Sequence, residues 1–322
     1  MSQSMKFAFR ATAVAAIAMV SASAFAAADF DANIELDSKV ENLARGASQS
    51  GRVELNASKK MGSKYFIAGR ATYLAHPDGT AGVDDMWAQM GSDVADVKLG
   101  RFEAANLFQT PGDVLVEYAG IAPYQANVLR GRQGGVNVVP NDSNLAAYGA
   151  GVFHAAGTVQ LGGGLSLEVS GVSSKGTGQA NGIRPVLNYA NGPLHLAAGL
   201  EGIQYHTGLA KRTTGFGLTG DYNFGDVVLT ANFASAKNDQ DFKQNTFAVM
   251  VGFGGLTLAT VQGNTKTAGD DYKVSTFWAA YAIPFFDVKG ATITPAVSFS
   301  KGSGSNTTKD SSGFALRVHY DF

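Results

Sequence analysis

The sequence has 322 residues, with 40 Gly, 20 Phe, 8 Pro and no Cys; its formal net charge is -1 and only 16% of its residues are charged. So balanced a chain excludes a nucleic-acid surface built on bulk charge and a charged disordered tail. Without cysteine no disulfide framework is available, so stability must come from topology.

The chain opens with Lys6 and Arg10, an apolar run from Ala11 to Val20, and the small-x-small triplet Ala24-Phe25-Ala26. This is the form of a secretory signal, residues 1-26, cleaved after about Ala26. The alternative, an N-terminal anchor, needs ~20 apolar residues, and the run falls well short. Residues 27-322 then read as one domain. Their longest strongly apolar run, Val274 to Phe286, is interrupted by Pro284, so no segment reaches a transmembrane helix. Anything here that spans a membrane is β, and only a closed barrel satisfies every backbone group in lipid.

Period-two alternation starts early and recurs to the end. Phe30, Ala32, Ile34 and Leu36 alternate with Asp31, Asn33, Glu35 and Asp37, and Val53, Leu55 and Ala57 alternate with Arg52, Glu54, Asn56 and Ser58. The same pattern returns at Leu165 to Ser170, Phe216 to Asn223, Val227 to Phe233, Phe247 to Phe253 and Ile293 to Ser300. The last stretch is the most regular: Phe314, Leu316, Val318, Tyr320 and Phe322 are separated by Ala315, Arg317, His319 and Asp321. No helical period of comparable length appears.

Tight turn signals stand at Met61-Gly62-Ser63, Gly162 to Gly164, Asn191-Gly192-Pro193, Phe224-Gly225-Asp226, Gly254-Gly255 and Phe286-Asp287. Longer polar connections come between them, at 42–50, 76–82, 175–181, 237–241, 265–271 and 301–312. Short and long connections alternate, as in an up-and-down barrel whose two rims face different compartments. The count comes to about 16 strands, an all-β, antiparallel, transmembrane barrel with strands of ~9 to 11 residues.

The signal, the alternating strands, the segment Lys98-Leu99-Gly100-Arg101-Phe102-Glu103 before a long insertion, and the terminal Tyr320-Asp321-Phe322 together give a chain that resembles the Gram-negative outer-membrane porins. The resemblance covers essentially all of residues 27-322. It implies a homotrimer of 16-stranded barrels among outer-membrane lipids, a terminal aromatic, Phe322, read by the outer-membrane assembly machinery, and a long third loop folded into the pore. It also implies a water-filled channel for passive diffusion of small hydrophilic solutes and ions, with no enzyme activity, cofactor or nucleic-acid partner. The alternative is a sugar-selective porin with a saturable aromatic site. The insertion does not match the constriction sequence of the best-known general porins.

That insertion, 101-144, is the only long stretch that does not alternate. Its Phe102, Leu107, Phe108, Val114, Leu115, Val116, Tyr118, Ile121 and Tyr124 supply enough apolar surface to pack against a wall, and so to narrow a polar barrel. Its charges are Glu103, Asp113 and Glu117 early and Arg130 and Arg132 late; the plain alternative is that they are solvated loop charges. If Val53, Leu55 and Ala57 face lipid, then Arg52, Glu54 and Lys60 face the lumen, Arg70 shares a face with Thr72, Asp85 with Trp87 and Gln89, and Asp96 with Lys98. A lipid-facing Arg near the midplane costs about 2 to 4 kcal/mol, which favours that parity. The expected eyelet sets Arg52, Arg70 and Lys98 against Glu103, Asp113 and Glu117 across a transverse field.

Trp87 falls on the lumen face by parity, where an indole stacks on sugars; Phe108, Tyr118 and Tyr124 extend such a track. The competing role for Trp87 is an interfacial aromatic girdle, to which Tyr189, Tyr205, Tyr222, Phe224, Tyr281, Phe285, Phe286, Tyr320 and Phe322 are also assigned. The five histidines, His76, His154, His195, His206 and His319, are scattered and form no zinc spacing, and the glycine clusters have no following helix to bind phosphate.

Overall fold

The computed structural model describes residues 28–42, 46–110, 152–174, 180–206, 211–304 and 309–322. The expected signal, 1–26, lies outside the described residues. The strands are β1 (Asp29–Glu41), β2 (Gly46–Met61), β3 (Tyr65–Ala75), β4 (Ala81–Ser92), β5 (Ala95–Arg101), β6 (Val152–Gly162), β7 (Leu165–Ser174), β8 (Ala180–Asn191), β9 (Leu194–Tyr205), β10 (Arg212–Asn223), β11 (Val227–Asn238), β12 (Lys243–Phe253), β13 (Leu256–Lys266), β14 (Asp271–Tyr281), β15 (Ile283–Pro284), β16 (Ala291–Ser303) and β17 (Ser311–Asp321). β15 prolongs β14, since both pair with β16. Counted as one, they leave a 16-stranded ring in which every strand pairs antiparallel with its sequence neighbours and β1 pairs with β17.

The seam between β1 and β17 runs from Asn33↔Asp321 to Glu41↔Gly313. The Phe322 amide extends it by donating to the Ala32 carbonyl at 2.8 Å, and at the other end the Ser312 amide donates to Asn42 Oδ1 at 2.9 Å. The ring therefore leaves no edge strand, the condition for β structure in lipid. Alternation then sorts the faces. Phe30, Val40, Phe153, Leu200, Phe253, Phe299, Phe314 and Phe322 are among the large apolar side chains exposed on the outside. An outer apolar surface of this extent is the lipid-facing band of a membrane barrel.

At the rim carrying the termini the connections are tight, as at 163–164, 192–193 and 254–255. Gly254 and Gly255 take φ of 52° and 87°, the left-handed pair that a two-residue hairpin turn needs. Phe286 and Asp287 do the same with φ of 45° and 56° despite carrying side chains. Aromatic pairs Tyr222–Phe224, Phe285–Phe286 and Tyr320–Phe322, with centroids 4.5, 4.4 and 4.5 Å apart, decorate this rim. Tyr205, expected among the girdle residues, is instead buried: its parity on β9 turns it inward with Ile203.

The connections at the opposite rim are shorter than the sequence suggested. Gly46–Ser50, expected in a loop, pair with Asp37–Glu41, and Ser311 and Ser312 pair with Ser300 and Phe299. β5 ends at Arg101 and β6 begins at Val152; of the expected insertion 101-144, only the part up to Thr110 falls within the described residues. On the inner wall of β11–β17, Ala234, Ala248, Met250, Ala259, Val261, Trp278, Ala280, Ala296 and Ala315 form one buried apolar cluster that includes Phe108 from the insertion.

Candidate functional site

Register brings a ladder of charge onto the inner wall where the barrel closes. Arg317 on β17 reaches across the seam to Asp37 through Nε–Oδ1 at 2.7 Å and Nη2–Oδ2 at 2.8 Å, and its Nη1 lies 3.3 Å from Glu35 Oε2. The same Glu35 oxygen is 3.8 Å from Arg52 Nη2 on β2. One strand further, Arg70 Nη1 lies 3.2 Å from Glu54 Oε2 and 3.7 Å from Asp85 Oδ2. Its Nε donates to Asn56 Oδ1 at 2.8 Å, while Asn56 Nδ2 donates to Asp31 Oδ1 at 2.6 Å. A bulge between Ala71 and Tyr73 buries both Asp84 and Asp85, and the Asp84 carbonyl accepts from Arg101 Nε at 2.6 Å. The Arg52 and Arg70 side chains remain about a third exposed, at 31% and 34%. Ion pairs this wet stabilise by only about 0.2 to 1 kcal/mol each; their larger effect is a fixed field on the lumen wall.

Next to the ladder, Trp87 pairs with Arg70 on β3 and with Gly100 on β5, which turns its indole inward. The Arg70 guanidinium carbon lies 5.6 Å and Lys98 Nζ 4.6 Å from the ring centroid. Lys98 Nζ also lies 5.5 Å from the Phe102 ring, which stacks on His154 at 3.9 Å with an interplanar angle of 10°. Gly100 holds φ of 124°, and a Cβ there would meet the Trp87 backbone, so the strand bends closely past the indole. His154 Nε2 and Ser170 Oγ are 2.8 Å apart, but both are buried. Phe102 stacks on the imidazole and covers it.

Past Arg101 the chain turns inward, and 102–110 is stapled along the wall of β7–β11. The Ala105 amide donates to Glu168 Oε1 at 2.7 Å, and the Ala105 carbonyl accepts from Arg184 Nη2 at 2.7 Å. Arg184 Nη1 in turn lies 2.7 Å from Glu201 Oε2 in a pair with no exposed side-chain surface. Asn232 serves as a two-handed clamp: its Oδ1 accepts from the Gln109 amide at 2.9 Å, and its Nδ2 donates to the Gln109 carbonyl at 2.8 Å. Between these points Leu107 is buried with Val186 and Ala197. It fits because Gly199 and Gly217 have no side chains; a Cβ on Gly217 would lie 2.6 Å from Leu107 Cβ, and one on Gly199 would lie 2.9 Å from its Cδ1. Thr110, the last described residue here, borders an open cavity of about 330 Å³ with Glu35, Thr257, Thr292, Arg317 and His319.

Of the residues singled out in the sequence, Arg52, Arg70, Trp87 and Lys98 stand on one inner sector, β2–β5, and Glu103 begins the loop root. Asp113, Glu117, Tyr118, Tyr124, Arg130 and Arg132 lie outside the described residues. Phe108 is only 1% exposed and packs in the apolar cluster, so its ring presents no face on which a sugar could stack. The staple residues Glu168, Arg184, Glu201 and Asn232 were not singled out. Their parity is readable, but Glu168, Arg184 and Asn232 meet loop-root partners 63 to 123 residues away along the chain, and Glu201 acts only through Arg184. Among the described residues no group of three metal-ligating side chains occurs, and no helix is long and apolar enough to cross a membrane, which says nothing about strands.

No protein-family model matches this sequence, and no curated protein does either. Solved structures do match it in fold. An anion-selective porin from Comamonas acidovorans superposes with a TM-score of 0.67 at 13% identity, over 92% of this chain and 99% of that one. OmpT, an outer membrane protein of Vibrio cholerae, gives 0.64 at 11% identity over 92% and 97%. A mutant of the porin of Rhodopseudomonas blastica gives 0.60 at 14% identity over 92% and 100%. At these identities the likeness is one of architecture. The chain therefore has the fold of the 16-stranded bacterial porins.

Proposed function

We propose that this protein is an outer-membrane porin, a water-filled channel through which small hydrophilic solutes and ions pass by diffusion. The observation that carries the reading is the pairing of an apolar outer band with an inner wall bearing the Asp37–Arg317–Glu35–Arg52 and Glu54–Arg70–Asp85 ladder, in a ring with no edge. In this reading the rim with the termini faces the periplasm. Arg52, Arg70 and Lys98 form the basic side of an eyelet whose other side is Glu103 with Asp113 and Glu117, and Arg130 and Arg132 contribute from the returning part of the loop. The working unit is a homotrimer, and the strand ending at Phe322 is the segment handled by the assembly machinery.

Two features favour general diffusion over a sugar-selective site. The Trp87 ring is already engaged by two cations, and Phe108 is withdrawn into packing. Solute uptake into swelling proteoliposomes tests the reading: rates should fall smoothly with sugar size across chemical classes. One sugar class entering much faster than its size predicts would replace general diffusion with selective transport, and absence of swelling with every solute would end the channel reading.

A further inference from the structure

The ladder at the seam ends on a group whose charge is not fixed. His319 on β17 stands directly opposite Glu35 on β1 and Thr292 on β16, on the inward parity. Its Nε2 lies 3.0 Å from Asp321 Oδ1 and its Nδ1 3.8 Å from Glu35 Oε2. That one Glu35 oxygen also faces Arg317 Nη1 at 3.3 Å and Arg52 Nη2 at 3.8 Å. The imidazole is 25% exposed and borders the cavity of about 330 Å³ that Thr110 shares.

The charges around it do not balance. Three carboxylates, Glu35, Asp37 and Asp321, meet two permanent cations, Arg52 and Arg317. Farther down β1, Asp31 is held by Asn56 Nδ2 at 2.6 Å, and farther up, Lys39 and Glu41 pair with each other at 3.3 Å. On β2, Glu54 is engaged by Arg70. Among the described residues, β13, β14 and β16 bring hydroxyl and methyl groups to the cavity and no charge. The turn before β16 carries exposed Asp287 and Lys289, of opposite sign. With His319 neutral, the sector around Glu35 holds one negative charge in excess. A proton on the imidazole cancels it.

We propose that His319 is a selectivity-determining residue whose proton sets how strongly the seam sector favours cations: acid moves the preference toward anions. The inference rests on the channel reading given above. Histidine is the side chain that ordinarily changes charge between pH 5 and 8, while carboxylates and guanidinium groups ordinarily keep theirs. One unit of charge beside a wet ion path shifts the cation-to-anion permeability ratio roughly threefold.

Reversal potentials in a potassium chloride gradient, read on open channels at pH 8 and at pH 5, test the assignment. The parent's cation-to-anion permeability ratio should fall roughly threefold on going to pH 5. His319→Gln should hold the parent's pH 8 ratio at both values, and His319→Arg the parent's pH 5 ratio. His195→Gln, a change on β9 at the same rim, should follow the parent. A parent ratio that does not move, a His319→Gln channel that still moves as the parent does, or a His195→Gln channel that no longer moves would overturn the assignment and leave the channel reading standing. Bilayers that stay silent with folded protein would end the channel reading, and this inference with it.

Discussion

Arg184 and Glu201, on adjacent strands β8 and β9, form a fully buried ion pair whose arginine also holds the Ala105 carbonyl of the loop root at 2.7 Å. Two charges removed from water stabilise little by their pairing alone, but unpairing one is costly. Glu201→Gln should therefore destabilise the barrel by about 3 to 5 kcal/mol in urea unfolding. The double change Arg184→Met/Glu201→Leu should recover most of that stability and still lose the loop tether, read as frequent brief closures in single-channel records. Quiet channels in the double variant would show that the pair does not hold the loop.

Leu107 and Gly217 make the second attachment. Gly217→Val places side-chain carbon where Leu107 sits, so the loop root should be displaced into the lumen and conductance should fall. Leu107→Ala leaves a cavity and should cost about 2 to 5 kcal/mol. Combining Gly217→Ala with Leu107→Gly should cost less than the sum of the single changes, because removing the Leu107 Cβ, which lies 2.6 Å from where the methyl would be added, makes room for it. Strict additivity would mean that the two residues are not packed together.

Selectivity should follow the ladder. Neutralising Arg52 and Arg70 together leaves Glu35, Glu54 and Asp85 less compensated, and the reversal potential in a salt gradient should move toward cation preference. Glu54→Gln with Asp85→Asn should move it the other way. Reversal potentials that stay put in both variants would place the controlling charges elsewhere.

Trp87→Ala separates the two roles open to an inward indole. As a platform for Arg70 and Lys98, its loss should free those cations, contributing about 0.5 to 2 kcal/mol each at most, and leave the size order of sugar permeation unchanged. Loss of a saturable sugar block in the variant would instead identify Trp87 as a stacking site.

Much of this architecture is legible in the sequence because period-two alternation is a local signal. The terminal run from Phe314 to Phe322 lies on the faces its pattern assigns, with Arg317 inward and Phe314 and Val318 outward. Between Val274 and Phe286 the alternation was hidden: Trp278 and Ala280 face inward yet are apolar, so both faces of β14 read as oily. The strand pairing continues through Gly46–Ser50, whose polar residues read as loop in the sequence, since backbone pairing does not depend on an apolar side chain. Tyr205 was misassigned because an aromatic near a strand end looks the same in sequence whether it points to the headgroups or into the barrel. The loop staples were invisible for a different reason. Ala105 meets Arg184 and Gln109 meets Asn232 only after the ring has closed, and no periodicity encodes contacts of that span.

The most direct test is the current through purified protein in a planar bilayer. Discrete openings whose conductance scales with salt, and which sugars of any class reduce only in proportion to their size, are the result expected of a general diffusion channel. Bilayers that stay silent when protein shown to be folded is added would contradict the account at its centre.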